Sequence, residues 1–194
     1  MEKVNVPEGT CGDWKVEKFS ISKDDWRVIS YGGRAPFPGN YTRLKHNGVV
    51  VMSDTDIEQR DHYEALHAAK GHILINGLGL GLFLLNCMKK KTVEKATVVE
   101  LSKEVIQLVG PTYKKLFGDK VEIINEDAFE YKPPKGIRYG MVWHDIWTYI
   151  CADNYEGMKK LHRKYGRKTD WQGSWCRHEV YRLVNEDKNR NYWR

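Results

Sequence analysis

His72-Ile73-Leu74-Ile75-Asn76, then Gly77-Leu78-Gly79-Leu80-Gly81, then Leu82-Phe83-Leu84-Leu85 is the stretch that decides the fold. Its first five residues form a short apolar run bounded by a turn signal, as a buried strand does. The residues from Gly79 to about Lys89 read as a helix. Between the two lies a glycine loop, where a missing Cβ lets the backbone approach another group closely. A helix start beside such a loop offers N–H groups and a positive dipole end to an anionic ligand group. Alone, the loop fits many nucleotide-like ligands. It does not complete the dinucleotide fingerprint, because Leu82 stands where a third glycine is required.

Downstream, strands and helices alternate. Ala96–Glu100 reads as a strand and Ser102–Leu116 as a helix capped by Ser102, with Pro111 expected to bend or split it. Val121–Ile124 and Tyr139–His144 read as further strands, and 154–165 and 176–185 as helices. This alternation implies a parallel sheet with helices on both faces. Upstream, residues 14–54 read as β structure. Trp14 to Ile21 alternates apolar and polar, and Asn47-Gly48 between β-prone runs signals a hairpin. Residues 32–39 read as a loop. Thr55 with Glu58 forms a capping box for one helix over about 56–69, with Gly71 just beyond it. The expected divisions are a β extension over 1–54, a Rossmann-like core over 55–152 and a mainly helical segment over 153–194.

In an open α/β sheet, ligands sit beyond the carboxyl ends of the strands. Three acidic residues occupy such positions. Glu100, before Leu101, lies 23 residues after Gly77, near the spacing of a ribose-binding carboxylate. Asp127, before Ala128, can accept from an adenine amino group or cap a turn. His144 and Asp145 can serve as an acid–base pair at a reacting centre or as a structural pair in a loop.

Taken in order, Ile73 to Gly81, Val98-Val99-Glu100-Leu101, Asn125-Glu126-Asp127-Ala128-Phe129 and Trp143-His144-Asp145 resemble the class I S-adenosylmethionine-dependent methyltransferases. More narrowly, they resemble the spermidine-synthase-like branch, over roughly residues 41–150. The resemblance implies a Rossmann-like, mostly parallel sheet behind a small antiparallel extension, with S-adenosylmethionine as cofactor. It implies that Gly77, Leu78 and Gly79 lie against the methionine portion and that Glu100 with Leu101 meets the ribose. Asp127 and Ala128 would read adenine, and Asp145 would face the amino group or the acceptor. The chain departs from polyamine synthases at three points: the glycine loop carries no acidic residue, Thr148 replaces a second aspartate, and Ser53 stands where glutamine is usual. These departures favour methyl transfer over aminopropyl transfer, with a non-catalytic S-adenosylmethionine- or nucleic-acid-binding protein as the third alternative. The sheet is expected to be cut short after its fourth strand, with Trp171 and Trp175 able to help build the acceptor pocket.

Composition sets the outer limits. The 194 residues carry a net charge of +6, and 41% are hydrophobic. From Met158 to Arg194 there are eleven Lys and Arg against four Asp and Glu, a net +7, so the remainder carries −1. A basic segment of this kind suits an anionic partner, nucleic acid included, or a solvated face. Cys11, Cys87, Cys151 and Cys176 form no CxxC pair, which argues against a zinc site and for reduced thiols in a cytoplasmic protein. No secretory signal or bilayer-length apolar run is legible. The acceptor, small molecule or nucleic acid, stays open, and an exposed sheet edge would allow a homodimer.

Overall fold

A computed structural model describes residues 1–23 and 36–192, without the side chains of Asn191 and Tyr192. Four antiparallel strands come first, in the order β1 (Gly9–Cys11), β2 (Trp14–Ile21), β3 (Gly39–His46) and β4 (Val49–Ser53). The β3–β4 turn is Asn47-Gly48, and both residues have positive φ (50° and 78°), as a two-residue hairpin requires. Residues 32–35 of the expected loop lie outside the described residues. Glu17 on β2 meets Lys15, Arg43 and Lys45 at 2.7, 2.5 and 2.7 Å, which ties β2 to β3 through charge.

The expected helix over 56–69 is two short helices, α1 (Asp56–Asp61) and α2 (Tyr63–Ala68), joined at His62. Thr55 caps no backbone N–H with its side chain. Its hydroxyl lies 3.0 Å from that of Ser53 instead. His62 is fully buried against Phe83 and Trp143, so the break brings one ring into the core.

The second sheet is wholly parallel. Its strands are β5 (Gly71–Asn76), β6 (Val93–Glu100), β7 (Val121–Asn125), β8 (Met141–His144) and β9 (Gln172–Ser174), in the spatial order β7-β6-β5-β8-β9. The expected truncation after the fourth strand is corrected by β9. It comes from the segment read as helical, and its Gln-Gly-Ser sequence gave no strand signal. Strand order reverses at β5, so the ends of β5 and β8 flank the crevice where α/β sheets bind ligands.

On one face of this sheet pack α3 (Leu82–Met88) and α4 (Lys103–Phe117). The other carries α5 (Asn154–Tyr165), through Leu161 and Tyr165. Ser102 caps α4, accepting from the Val105 N–H at 3.2 Å. The helix runs unbroken through Pro111, because Val105, Val109 and Tyr113 keep its inner face buried. The last element, α6 (Arg177–Tyr192), contacts α5. No helix among the described residues is long and apolar enough to cross a membrane.

Candidate functional site

Gly77, Asp145 and the end of β6 meet at the strand-order reversal. The Asp145 N–H donates to the Asn76 carbonyl at 2.8 Å, and the Gly77 N–H donates to that of Val99 at 2.8 Å. At Gly77, φ is +99° and a Cβ would stand 2.0 Å from the Asp145 carbonyl oxygen. Glycine is therefore required here for a crossing of two backbones, not for the approach of a ligand.

A cavity of about 430 Å³ opens beyond these strand ends. Gly77, Gly79, Glu100, Leu101, Asp127, Ala128 and Asp145 all line it, so seven of the nine residues singled out in the sequence are brought together. Leu78 and His144 are not among the lining residues. Leu78 is buried and contributes its backbone, donating to Glu100 Oε2 at 2.7 Å. His144 requires a correction as an acid–base candidate. Strand alternation turns Trp143 to one face of the sheet and His144 to the other. There His144 is fully buried beside His162 and Tyr165 of α5, with Nδ1 2.7 Å from the Asn76 amide nitrogen. Burial holds its pKa down to about 3, aided by the neighbouring His162.

The helix-dipole expectation also changes. Helix α3 starts at Leu82 and has only seven residues. Two of the loop donors are taken up within the protein: Leu80 N–H by the Met52 thioether at 3.3 Å and Gly81 N–H by the Leu78 carbonyl at 2.8 Å. Met52 comes from β4 and lies so close that a Cβ on Gly79 would be 2.3 Å from its sulfur. The N-terminal sheet thus forms one wall of the site, with Trp14, Leu44, Val51 and Met52.

Glu100 is held rigidly. Its Oε2 accepts from Leu78 and its Oε1 from the Ser102 N–H at 2.8 Å. A carboxylate has about four acceptor positions, so each oxygen keeps one for a ligand. Asp127 caps a turn, with Oδ1 accepting from the Phe129 N–H at 2.7 Å, while still lining the cavity. The two alternatives for this residue are therefore compatible. Lys164 donates to the carbonyls of Ala128 and Phe129 at 3.0 and 2.8 Å, anchoring that rim to α5.

Asp145 is the most perturbed carboxyl of the site. Burial pushes its pKa up to about 7, and the nearby charges of Asp61 and Glu100 add to this. The Trp143 indole, which makes no hydrogen bond of good geometry, offsets part of the shift. His62 Nε2 lies 3.7 Å from Asp145 Oδ2. Neither ring nitrogen of His62 has a hydrogen-bond partner, and burial holds its pKa down to about 4, opposed by Asp61.

Sequence reasoning missed several of these groups. Glu58, read as part of a capping box, lines the cavity, as do Trp14, Phe129 and Trp147. His62 sat unremarked within an expected helix. Of the three departures, Thr148 lines the cavity, whereas Ser53 is buried outside it. Trp175 lines the cavity, but Trp171 stacks on Trp143 with ring centroids 6.3 Å apart. Four carboxylates (Glu58, Glu100, Asp127, Asp145) face the space, and no Lys, Arg or His does among the described residues.

The fold and site define a Rossmann-like protein with a carboxylate-lined cavity at the strand-order reversal. No family model matches the chain. A polyamine aminopropyltransferase of Oceanobacillus iheyensis is 28% identical over 136 residues, which are 63% of this chain and 25% of that protein. The chain thus spans about a quarter of the length of that curated relative. Among solved structures, spermidine synthase from Thermotoga maritima matches with a TM-score of 0.44 and 19% identity, covering 71% of this chain and 46% of the other. An S-adenosylmethionine-dependent methyltransferase from Clostridium acetobutylicum matches with a TM-score of 0.43 and 13% identity, covering 58% and 43%. Methyltransferases and aminopropyltransferases are the two groups that the ordered motifs resemble.

Proposed function

We propose that the chain binds S-adenosylmethionine in this cavity and serves as a methyltransferase. The observation that carries the reading is the convergence of Glu100, Asp127 and Asp145, from three strand ends, on one cavity behind the glycine loop. The donor set fits such a ligand. Glu100 has acceptor capacity for two ribose hydroxyls, and Asp127 for an adenine amino group. Asp145 and Glu58 suit cationic groups, as do the faces of Trp14, Trp147 and Trp175. The cofactor supplies an activated methyl on a sulfonium. The chain's own part is to hold the acceptor in line, with water excluded by the indoles, and to take up its proton at the Asp145 carboxylate. Calorimetry with S-adenosylmethionine and S-adenosylhomocysteine tests the reading, and no heat of binding at millimolar ligand overturns it.

Aminopropyl transfer has support of its own. Glu100, Asp127 and Asp145, which line the cavity, repel the α-carboxylate that S-adenosylmethionine carries. The decarboxylated cofactor lacks that repulsion, and the curated relative is an aminopropyltransferase. Turnover of decarboxylated cofactor with putrescine would favour this second reading. Binding of the decarboxylated form no tighter than that of S-adenosylmethionine would remove it.

A further inference from the structure

His62 is the one fully buried imidazole aimed at a residue of the cavity wall. It sits between Phe83, with ring centroids 5.3 Å apart, and Trp143, at 5.9 Å. Neither aromatic ring offers a hydrogen-bond acceptor in the ring plane. Both nitrogens are left without partners, an arrangement that costs about 1–3 kcal/mol unless something else is gained. Asp145 Oδ2 lies 3.7 Å from Nε2, slightly beyond hydrogen-bond length.

We propose that His62 is a positioning residue for Asp145: its neutral imidazole, through Nε2, donates to the ionised carboxylate. This rests on the reading that the cavity receives a cationic cofactor. Asp145 must change charge for such a ligand to bind. With no cation present, its carboxyl is desolvated and faces the charges of Asp61 and Glu100, so a proton is held there near neutral pH. When a sulfonium or ammonium enters, the carboxylate form is needed and the proton leaves to solvent. The other titratable groups near the pair are Asp61 and Glu58 on α1, Glu100 at the end of β6, and Cys176, whose thiol lies 3.4 Å from Asp61 Oδ2. Asp61 and Glu100 oppose ionisation of Asp145, and His62 stands beside the Trp143 indole as a donor placed to support it.

The test compares wild type with His62→Phe, which fills the aromatic shell without nitrogens, and His62→Gln, which keeps a donor. The Asp145 carboxyl carbon is titrated by NMR in the ligand-free protein, its signal assigned by loss in Asp145→Asn. The expected result is a midpoint near neutrality in wild type, raised by about one pH unit or more in His62→Phe and largely restored in His62→Gln. S-adenosylhomocysteine affinity should then fall about tenfold in His62→Phe below that midpoint and recover at high pH, since one unit of midpoint is a factor of ten. 5′-Methylthioadenosine, which lacks the ammonium, should bind both proteins alike. Equal Asp145 midpoints in wild type and His62→Phe overturn the proposal. Absence of any ligand binding with a raised midpoint would leave the pair standing and refute the cofactor reading instead.

Discussion

Gly77→Ala is the sharpest perturbation of this architecture, because it tests the backbone crossing on which the site is built. The added methyl carbon would stand 2.0 Å from the Asp145 carbonyl oxygen and 2.8 Å from its carbon. An ordinary contact needs well over 3 Å, so the strand exit must move by about 1 Å or more. That movement strains the hydrogen bond from Asp145 N–H to the Asn76 carbonyl, worth about 1 kcal/mol net. Overpacking adds about 1–3 kcal/mol, and the positive φ another 1–2 kcal/mol, roughly. The sum is about 3–6 kcal/mol. For a domain of this size each kcal/mol lowers Tm by about 2–4 °C, so a fall of roughly 6–24 °C is expected. Gly136→Ala is the control. Its φ is +82° with nothing within 4 Å of an added Cβ, so it carries the φ penalty alone. Thermal melts by circular dichroism compare the two. If Gly77→Ala melts within about 2 °C of Gly136→Ala, the crossing does not fix the site and the argument is wrong, since roughly 2 °C is the least shift that 1 kcal/mol would give.

Further outcomes follow from the same geometry. Glu100→Gln should weaken S-adenosylmethionine binding by about 10- to 100-fold, the value of losing a hydrogen bond to a charged acceptor, with the fold retained; calorimetry reads it. His144→Phe should leave that affinity within about twofold, because the ring lies under α5, while lowering stability by about 1–3 kcal/mol through the lost Asn76 contact; denaturant melts with parallel binding separate the two effects. Stability should also fall as pH drops. His62, His144 and His162 are depressed to about 4, 3 and 4, so between these values and 6.5 the unfolded chain binds three more protons. Asp145, raised to about 7, binds one more in the folded state over the same window. The net of two protons gives a loss of about 2.7 kcal/mol per pH unit from pH 6 to 5, and a flat profile of Tm across that interval would contradict the burial of these rings.

What was legible in the sequence, and what was not, divides along a physical line. The parallel core could be read because each strand from Gly71 to His144 is an apolar run followed by a polar terminus, and that terminus must lie at the sheet's carboxyl edge. Glu100, Asp127 and Asp145 are such termini, so their convergence follows from topology. His144 was misplaced because adjacency in a strand is not adjacency in space. One residue of strand sends a side chain to the opposite face, and only the length of β8, ending at His144, tells which face. Strand β9 was invisible for the converse reason. Gln172-Gly173-Ser174 has no strand-forming pattern of its own and is held by its register against Val142, Trp143 and His144.

Glu58 and His62 show a second limit, and it bears on the acceptor. Both lie on 55–68, where helical periodicity asks only which face is buried. Glu58 could satisfy a capping box with Thr55, and that local reading was sufficient on its own terms. Tertiary structure overrode it: Thr55 turned its hydroxyl to Ser53, and Glu58 turned into the cavity. A carboxylate absent from the glycine loop thus lines the cavity from another segment. Glu58 and Asp145 line the cavity from separate elements, so motif comparison within the core alone misses one of its acidic residues. Under the proposed function, the choice between methyl and aminopropyl transfer turns on whether the bound cofactor carries its α-carboxylate.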